Sequence, residues 1–173
     1  GFAQRAEDVY NAAAIAHDGE IAAIVQKSHL PNYAVFDEVR YFRPGRNPFV
    51  LRRGPLTFGV NICEDIWFPS SQTKLAVAAD AQLVINLSSS PFHGGKSIAR
   101  DRMLATRAQD GVSMVAFVNT VGGQDELVFD GNSRVFGPRG DTLARAKAFE
   151  EDLLLYDVDL NEVFSARLRD PRS

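Results

Sequence analysis

Residues 56–67 read LTFGVNICEDIW, and the other predicted elements are arranged around this stretch. Its first seven residues alternate in polarity, which is typical of a strand. Two acidic residues and a tryptophan then follow Cys63, the only cysteine in the chain. A thiol at the end of a strand, with a turn beyond it, is placed like a nucleophile on the rim of a scaffold. The alternative is a buried cysteine that packs as a small apolar side chain.

The residues before this stretch predict a hairpin. Two runs of small and apolar residues, 10–16 and 20–27, flank Asp18-Gly19, a strong signal for a tight hairpin turn. The second strand carries Lys27 at its end. A polar loop broken by Pro31 comes next.

The residues after Cys63 predict alternating helices and strands. Apolar runs bounded by turn formers indicate strands that are covered on both faces, and Ser70 is a candidate N-cap. A hairpin around Asp130-Gly131 follows, and a tail rich in arginine resembles a linker. Together these elements predict a layered α/β fold. The predicted elements are a helix over 71–79, a strand over 81–87, a helix over 97–110, a strand over 114–119, a closing strand over 153–158 and the tail from about 165.

Composition places limits on the class of protein. A length of 173 residues predicts one domain. The net charge of −3 provides no basic field, so we expect neither nucleic acid nor an anionic membrane as a partner. A single cysteine excludes an internal disulfide framework and suits a reducing compartment. No apolar run reaches transmembrane length and no signal peptide opens the chain, so we expect a cytoplasmic protein.

A thiol that attacks an amide needs a base for its proton and a positive group for the developing oxyanion. Of the three histidines, His17 is expected to be solvated, whereas His29 and His93 lie in loops at strand ends. A pair of Cys63 with one of these two is one alternative. The other candidate is Lys27, whose ammonium would be partly desolvated at the end of its strand. An ordinary solvated lysine remains the alternative for that position.

Carboxylates near these groups are Glu38, Glu64 and Asp65. A solvated pair in a loop is the alternative for the two that follow Cys63. Ser88 to Ser90 could donate hydroxyl hydrogen bonds to a ligand, although such clusters are commonly turn and cap residues. The sequence has neither a Walker nor a dinucleotide-binding pattern, and no metal site is predicted.

Taken together, these motifs resemble the nitrilase superfamily of Glu-Lys-Cys amidases, and within it the glutaminase domains of glutamine-dependent NAD synthetases. The resemblance runs from about Val9 to Asp159, nearly the whole chain. It implies a four-layer α-β-β-α sandwich, truncated at its N-terminus, over residues 1–164, followed by the start of a linker over 165–173. The motifs are KSHLPNY at 27–33, FDEVRYF at 36–42, CEDIW at 63–67, NLSSSPFH at 86–93 and NTVGGQDELVFDG at 119–131.

The resemblance also implies roles for individual residues. Cys63 would attack the side-chain amide of glutamine and form a thioester. Lys27 would stabilise the oxyanion, and Glu38 would be the supporting glutamate that positions the lysine and the catalytic water. Four further residues would hold the glutamine, with Glu64 a candidate for its α-amino group and Lys96 for its α-carboxylate. These substrate-binding candidates are Tyr33, Glu64, Ser90 and Lys96.

Two departures from the family pattern accompany these expectations. The general-base glutamate of the family lies well upstream of the lysine, in a segment that this chain does not contain, so we expect little activity from the fragment alone. The synthetase domain, which would bring ATP and magnesium, is absent as well, and no cofactor is expected in this chain. The expected partners are glutamine, the synthetase domain of the same parent chain and further copies in a homo-oligomer. A stand-alone nitrilase-type amidase and a non-catalytic module are the alternatives.

Overall fold

The N-terminal part of the chain forms a three-stranded antiparallel sheet in the computed structural model, which describes residues 1–69 and 72–171. The central strand pairs with both neighbours, and Asp18 and Gly19 form the turn with positive φ angles of 51° and 81°. The predicted hairpin is therefore confirmed. The strands are β1 (Phe2–Arg5), β2 (Val9–His17) and β3 (Glu20–Gln26).

A six-stranded sheet with the order β11-β10-β7-β6-β5-β4 forms the centre of the molecule. Its three middle strands, β5, β6 and β7, are parallel. Their carboxyl ends therefore lie at one edge of the sheet, where ligands bind in sheets of this kind. The strands are β4 (Val50–Arg53), β5 (Leu56–Ile62), β6 (Leu83–Ser88), β7 (Met114–Asn119), β10 (Arg134–Phe136) and β11 (Thr142–Arg145). A separate hairpin joins β8 (Val121–Gln124) to β9 (Leu127–Asp130).

Both faces of the large sheet are covered. Alternate residues of β6 and β7 face opposite sides: Val84 and Val115 pack under α3, whereas Leu83 and Met114 pack against Val163 of α4. The three-stranded sheet contacts the large sheet through β3 and β5. None of the described helices has the length and apolar content needed to cross a membrane. The helices are α1 (Glu38–Tyr41), α2 (Gln72–Ala78), α3 (Lys96–Gly111) and α4 (Leu160–Leu168).

The C-terminal part differs from the prediction. Residues 153–158 form no strand, and Leu153 and Leu155 are 80% and 81% exposed. Val158, the last residue of this apolar run, packs beside Val163. Helix α4 was not predicted and includes residues 165–168, so the tail expected as a linker begins inside a helix. The predicted N-cap Ser70 lies outside the described residues.

Candidate active site

The nucleophile candidate sits on a sharp turn at the end of β5. The strand ends at Ile62, and Cys63 opens a single 3-10 turn that continues to Trp67. Cys63 has a φ of 47°, in the left-handed region that side chains with a Cβ rarely adopt. Such strained residues cluster at functional sites, where the surrounding structure holds them in place. Because the strand ends at Ile62, the alternation of side chains between the two faces of the sheet does not extend to Cys63 and Glu64.

Two buried asparagines, one on β5 and one on the neighbouring strand β6, support the turn. Asn86 of β6 lies in register with Asn61 of β5. Its side-chain amide donates to the Asn61 Oδ1 at 2.7 Å and to the backbone carbonyl of Cys63 at 3.3 Å. Ser88 donates to the Asn86 Oδ1 at 2.6 Å. This network supports the strained turn through hydrogen bonds that are shielded from water.

Lys27 and Glu38 face the same cavity as Cys63. Lys27 directly follows β3 and is only 2% exposed. Its Nζ lies 2.5 Å from the Glu38 Oε1, and Asn11 donates to the other oxygen of that carboxylate at 3.3 Å. The cavity has a volume of about 470 Å³ and lies between the two sheets. The predicted grouping of a thiol, an ammonium and a carboxylate is therefore present as geometry.

The surroundings of the thiol set its protonation. Burial raises the pKa of the Cys63 thiol above its ordinary value, and this effect outweighs the Lys27 charge, which lowers it. Hydrogen bonds from the Ser89 backbone N–H and the Ser88 hydroxyl also lower the pKa. Burial therefore keeps the thiol protonated at neutral pH, and catalysis through it requires a base.

The histidines have other partners. His17 lies 3.0 Å from the carboxylate of Asp18, and the ring of His93 contacts the Gly94 carbonyl at 3.0 Å. The Nδ1 of His29 lies 3.2 Å from an oxygen of Asp65. The structure therefore does not support the alternative of a Cys–His pair.

The location of Asp65 at the site was not predicted from the sequence. The alternative of a solvated Glu64-Asp65 pair is wrong for Asp65, which is 1% exposed. Its carboxylate accepts hydrogen bonds from the loop that follows Lys27 and from the end of β5. The available signal was its position two residues after a cysteine at a strand end. Asn86, a polar residue inside an apolar run, also indicated a buried hydrogen-bond network at this position.

None of the four predicted substrate-binding residues lines the cavity. Tyr33 donates to the Glu64 Oε1 at 2.7 Å, and both residues line a neighbouring cavity of about 400 Å³. Desolvation, followed by this hydrogen bond, raises the pKa of Tyr33 to about 12. Ser90 is buried, and its N–H donates to the Asn119 Oδ1 at 2.8 Å. Lys96 Nζ lies 4.3 Å from the centroid of a Trp67 ring, a cation–π contact.

The described residues contain no group of three or more His, Cys, Asp or Glu side chains arranged to hold a metal ion.

Comparison with known proteins identifies the family to which this chain is similar. The sequence pattern of the family described as carbon-nitrogen hydrolase matches residues 1–168. The glutamine-dependent NAD(+) synthetase of Aquifex aeolicus is 47% identical over 165 residues, which are 95% of this chain and 29% of that protein. The chain thus spans about three-tenths of the length of such relatives.

Solved structures agree with this fold. The glutamine-dependent NAD+ synthetase of Acinetobacter baumannii, in complex with ADP, has a TM-score of 0.84 and 40% identity, covering 88% of this chain and 29% of that one. A carbon-nitrogen hydrolase of Helicobacter pylori has a TM-score of 0.87 and 26% identity, covering 98% and 65%. The predicted α/β fold of nitrilase type is confirmed.

Proposed function

This chain belongs to the carbon-nitrogen hydrolase family, and on that premise we propose that it hydrolyses the side-chain amide of glutamine through Cys63. The observation that carries the proposal is the cavity that Cys63, Lys27 and Glu38 line together. The names of the relatives supply the substrate: those at 47% and 46% identity are glutamine-dependent NAD(+) synthetases.

The reaction begins with attack of the Cys63 sulfur, as thiolate, on the amide carbon. A carbon–sulfur bond forms, and the carbonyl electron pair moves onto oxygen. The ammonium of Lys27 stabilises that negative charge. The general base that removed the thiol proton returns it, as the conjugate acid, to the amide nitrogen; when the carbonyl re-forms, the carbon–nitrogen bond breaks and the nitrogen leaves as ammonia. Water then cleaves the thioester and releases glutamate.

Glu38 supports this step through Lys27. The buried ammonium has the carboxylate at 2.5 Å, and Asn11 fixes the far oxygen of that carboxylate. The pair holds the lysine side chain at the wall of the cavity before substrate arrives. Preorganised charge of this kind needs no reorientation when the oxyanion develops. The general base is a separate group, which the family pattern places upstream of Lys27.

Glutamine recognition is proposed for the surrounding residues. Glu64 would accept the α-amino group and Lys96 would pair with the α-carboxylate, since opposite charges select the two ends of an amino acid. Tyr33 orients Glu64 through its hydrogen bond, and Ser90 lies at the end of β6 beside Asn119. Lys96 would exchange its contact with Trp67 for the substrate.

The ammonia would serve NAD synthesis. We propose that a synthetase domain of the same parent protein uses it to amidate deamido-NAD and binds ATP and magnesium there. A homo-oligomer of that parent is part of the proposal.

The test is a Cys63→Ala variant of the full-length protein. Ammonia release from glutamine should disappear, whereas NAD formation supplied directly with ammonium should continue at close to the unaltered rate. Retained ammonia release would overturn the role of Cys63. Faster hydrolysis of another small amide than of glutamine would show instead a general amidase.

A further inference from the structure

Asp65 connects the backbone segments that carry the two reacting groups. One oxygen, Oδ1, accepts from the backbone N–H of Ser28 at 3.0 Å and of His29 at 2.8 Å. The other, Oδ2, accepts from the backbone N–H of Ile62 at 3.0 Å. Ser28 directly follows Lys27, and Ile62 directly precedes Cys63. A single carboxylate thus spans the two strand ends.

The hydrogen bonds of the Asp65 carboxylate hold the two backbone segments firmly in place. The Asp65 side chain is 1% exposed, and hydrogen bonds from backbone N–H groups to an ionised carboxylate are short and strong. The His29 ring contributes a fourth contact at 3.2 Å and is stacked on Phe68 with ring centroids 4.4 Å apart. The loop after Lys27 is therefore held on one side by the carboxylate and on the other by an aromatic ring.

We propose that Asp65 is a positioning residue that fixes the location of the Lys27 ammonium relative to the Cys63 thiol. It acts on both groups through the backbone and touches neither the substrate nor the reacting atoms. The inference rests on the proposed function of these two residues. Lys27 and Cys63 are far apart in sequence and directly follow strands of different sheets. The distance between the ammonium and the thiol therefore depends on contacts between the two sheets.

The consequence concerns the transition state more than substrate binding. The oxyanion exists only while the thiol is bonded to the amide carbon, so a displaced ammonium lowers kcat while the affinity for glutamine is preserved. A displacement of about 1 Å at a reacting group can cost on the order of 100-fold in rate.

Asp65→Asn in the full-length protein tests the inference. The asparagine side chain has one acceptor oxygen. Its NH2 group replaces the second carboxylate oxygen and cannot accept a hydrogen bond from the backbone N–H groups there. We expect ammonia release from glutamine to fall about 100-fold in kcat, with KM changed by less than about threefold. Alkylation of Cys63 by chloroacetamide, followed by mass spectrometry of its peptide, should continue, because the thiol itself is retained.

Asp80→Asn is the matched control. Asp80 follows α2, is well exposed and pairs with Arg167. This variant makes the same chemical change outside the site, so its kcat should stay within about threefold of the unaltered value. If Asp65→Asn does not accumulate as folded protein, Asp65→Glu keeps the charge and both oxygens on a longer side chain, and the same loss of kcat is expected.

The outcomes separate the two proposals. If Cys63→Ala leaves ammonia release intact, the proposed function fails. If Cys63→Ala abolishes release but folded Asp65→Asn or Asp65→Glu keeps its kcat within about threefold, only the positioning role is overturned. A fall in kcat that merely matches the fraction of unfolded protein, measured by circular dichroism, would also overturn it.

Discussion

Lys27 Nζ lies 2.5 Å from the Glu38 Oε1, and the lysine is almost fully buried. A buried ammonium is stable only when its charge is compensated, because transfer out of water costs several kcal/mol per ion. Glu38 is the first residue of α1, and none of the residues 38–41 belongs to either core cluster. Its position is thus better explained by its charge than by packing.

Glu38→Gln should therefore be costly for both stability and activity. The substitution keeps the shape but leaves Lys27 buried without a counter charge, and we expect the free energy of unfolding in urea to fall by about 3 kcal/mol. Ammonia release from glutamine should fall on the order of 100-fold, since the oxyanion donor is no longer held. Glu150→Gln, at a 64% exposed pair with Lys147, is the control and should change stability by less than about 0.5 kcal/mol. Equal urea midpoints for the two variants would contradict the explanation.

The raised pKa of the Cys63 thiol predicts how alkylation depends on pH. Because only the thiolate reacts, the rate with iodoacetamide should rise through a midpoint above the ordinary thiol value of about 8.5. Lys27 lowers this pKa, so Lys27→Met should move the midpoint further up and reduce the thiolate fraction at pH 8. Mass spectrometry of the Cys63 peptide measures the rate. Lys147→Met, a surface control, should leave the midpoint unchanged, and an unchanged midpoint in Lys27→Met would refute the assignment.

The hairpin expected around Asp130-Gly131 does not form, because β9 pairs with β8 whereas β10 pairs with β7 and β11. The three parallel strands of the central sheet, in contrast, could be predicted from sequence because they are locally encoded. The apolar runs that became β6 and β7, and the alternating run that became β5, are bounded by turns and need no distant information.

Helix α4 has a local signal that was not used, since Asp159 caps it by accepting from the Asn161 N–H at 2.9 Å. Distant contacts also hold it: Arg167 donates to the Ala81 carbonyl at 2.7 Å and to the Val112 carbonyl at 3.2 Å. No local pattern indicates partners so far away along the chain.

The same distinction applies to the site. Cys63 and Lys27 are recognisable because strand ends and motif spacing are visible in sequence. The burial of Asp65 is not, since two adjacent acidic residues after a strand resemble a solvated turn. Two of its three backbone hydrogen-bond donors lie at positions 28 and 29, in the loop that follows β3. The roles of Tyr33, Ser90 and Lys96 as glutamine contacts stay predictions.

Tyr33→Phe tests the glutamine-binding role of the Tyr33–Glu64 pair. The hydroxyl donates to Glu64 at 2.7 Å, and the Tyr33 pKa of about 12 keeps that proton in place throughout the physiological range. Its loss frees the Glu64 carboxylate to move, so KM for glutamine should rise about 3- to 10-fold, the equivalent of one hydrogen bond. Steady-state ammonia release measures this, with kcat nearly constant. Tyr41→Phe, at an exposed position, serves as control, and a fall in kcat without a rise in KM would argue against a binding role.

The buried ion pair between Arg100 and Asp130 predicts a strong dependence of stability on its partners. The guanidinium and the carboxylate meet through two hydrogen bonds of 3.0 and 2.6 Å, and both residues are excluded from solvent. Arg100→Met leaves a buried carboxylate without its counter charge and should lower the free energy of unfolding by about 4 kcal/mol. In the double variant Arg100→Met/Asp130→Asn that charge is gone, so the total loss should be smaller than the sum of the two single losses by at least about 1 kcal/mol. Urea denaturation of the four proteins measures the cycle, and Arg43→Met, at an exposed pair with Asp8, should cost less than about 0.5 kcal/mol. Strictly additive losses would show that the two charges do not depend on each other.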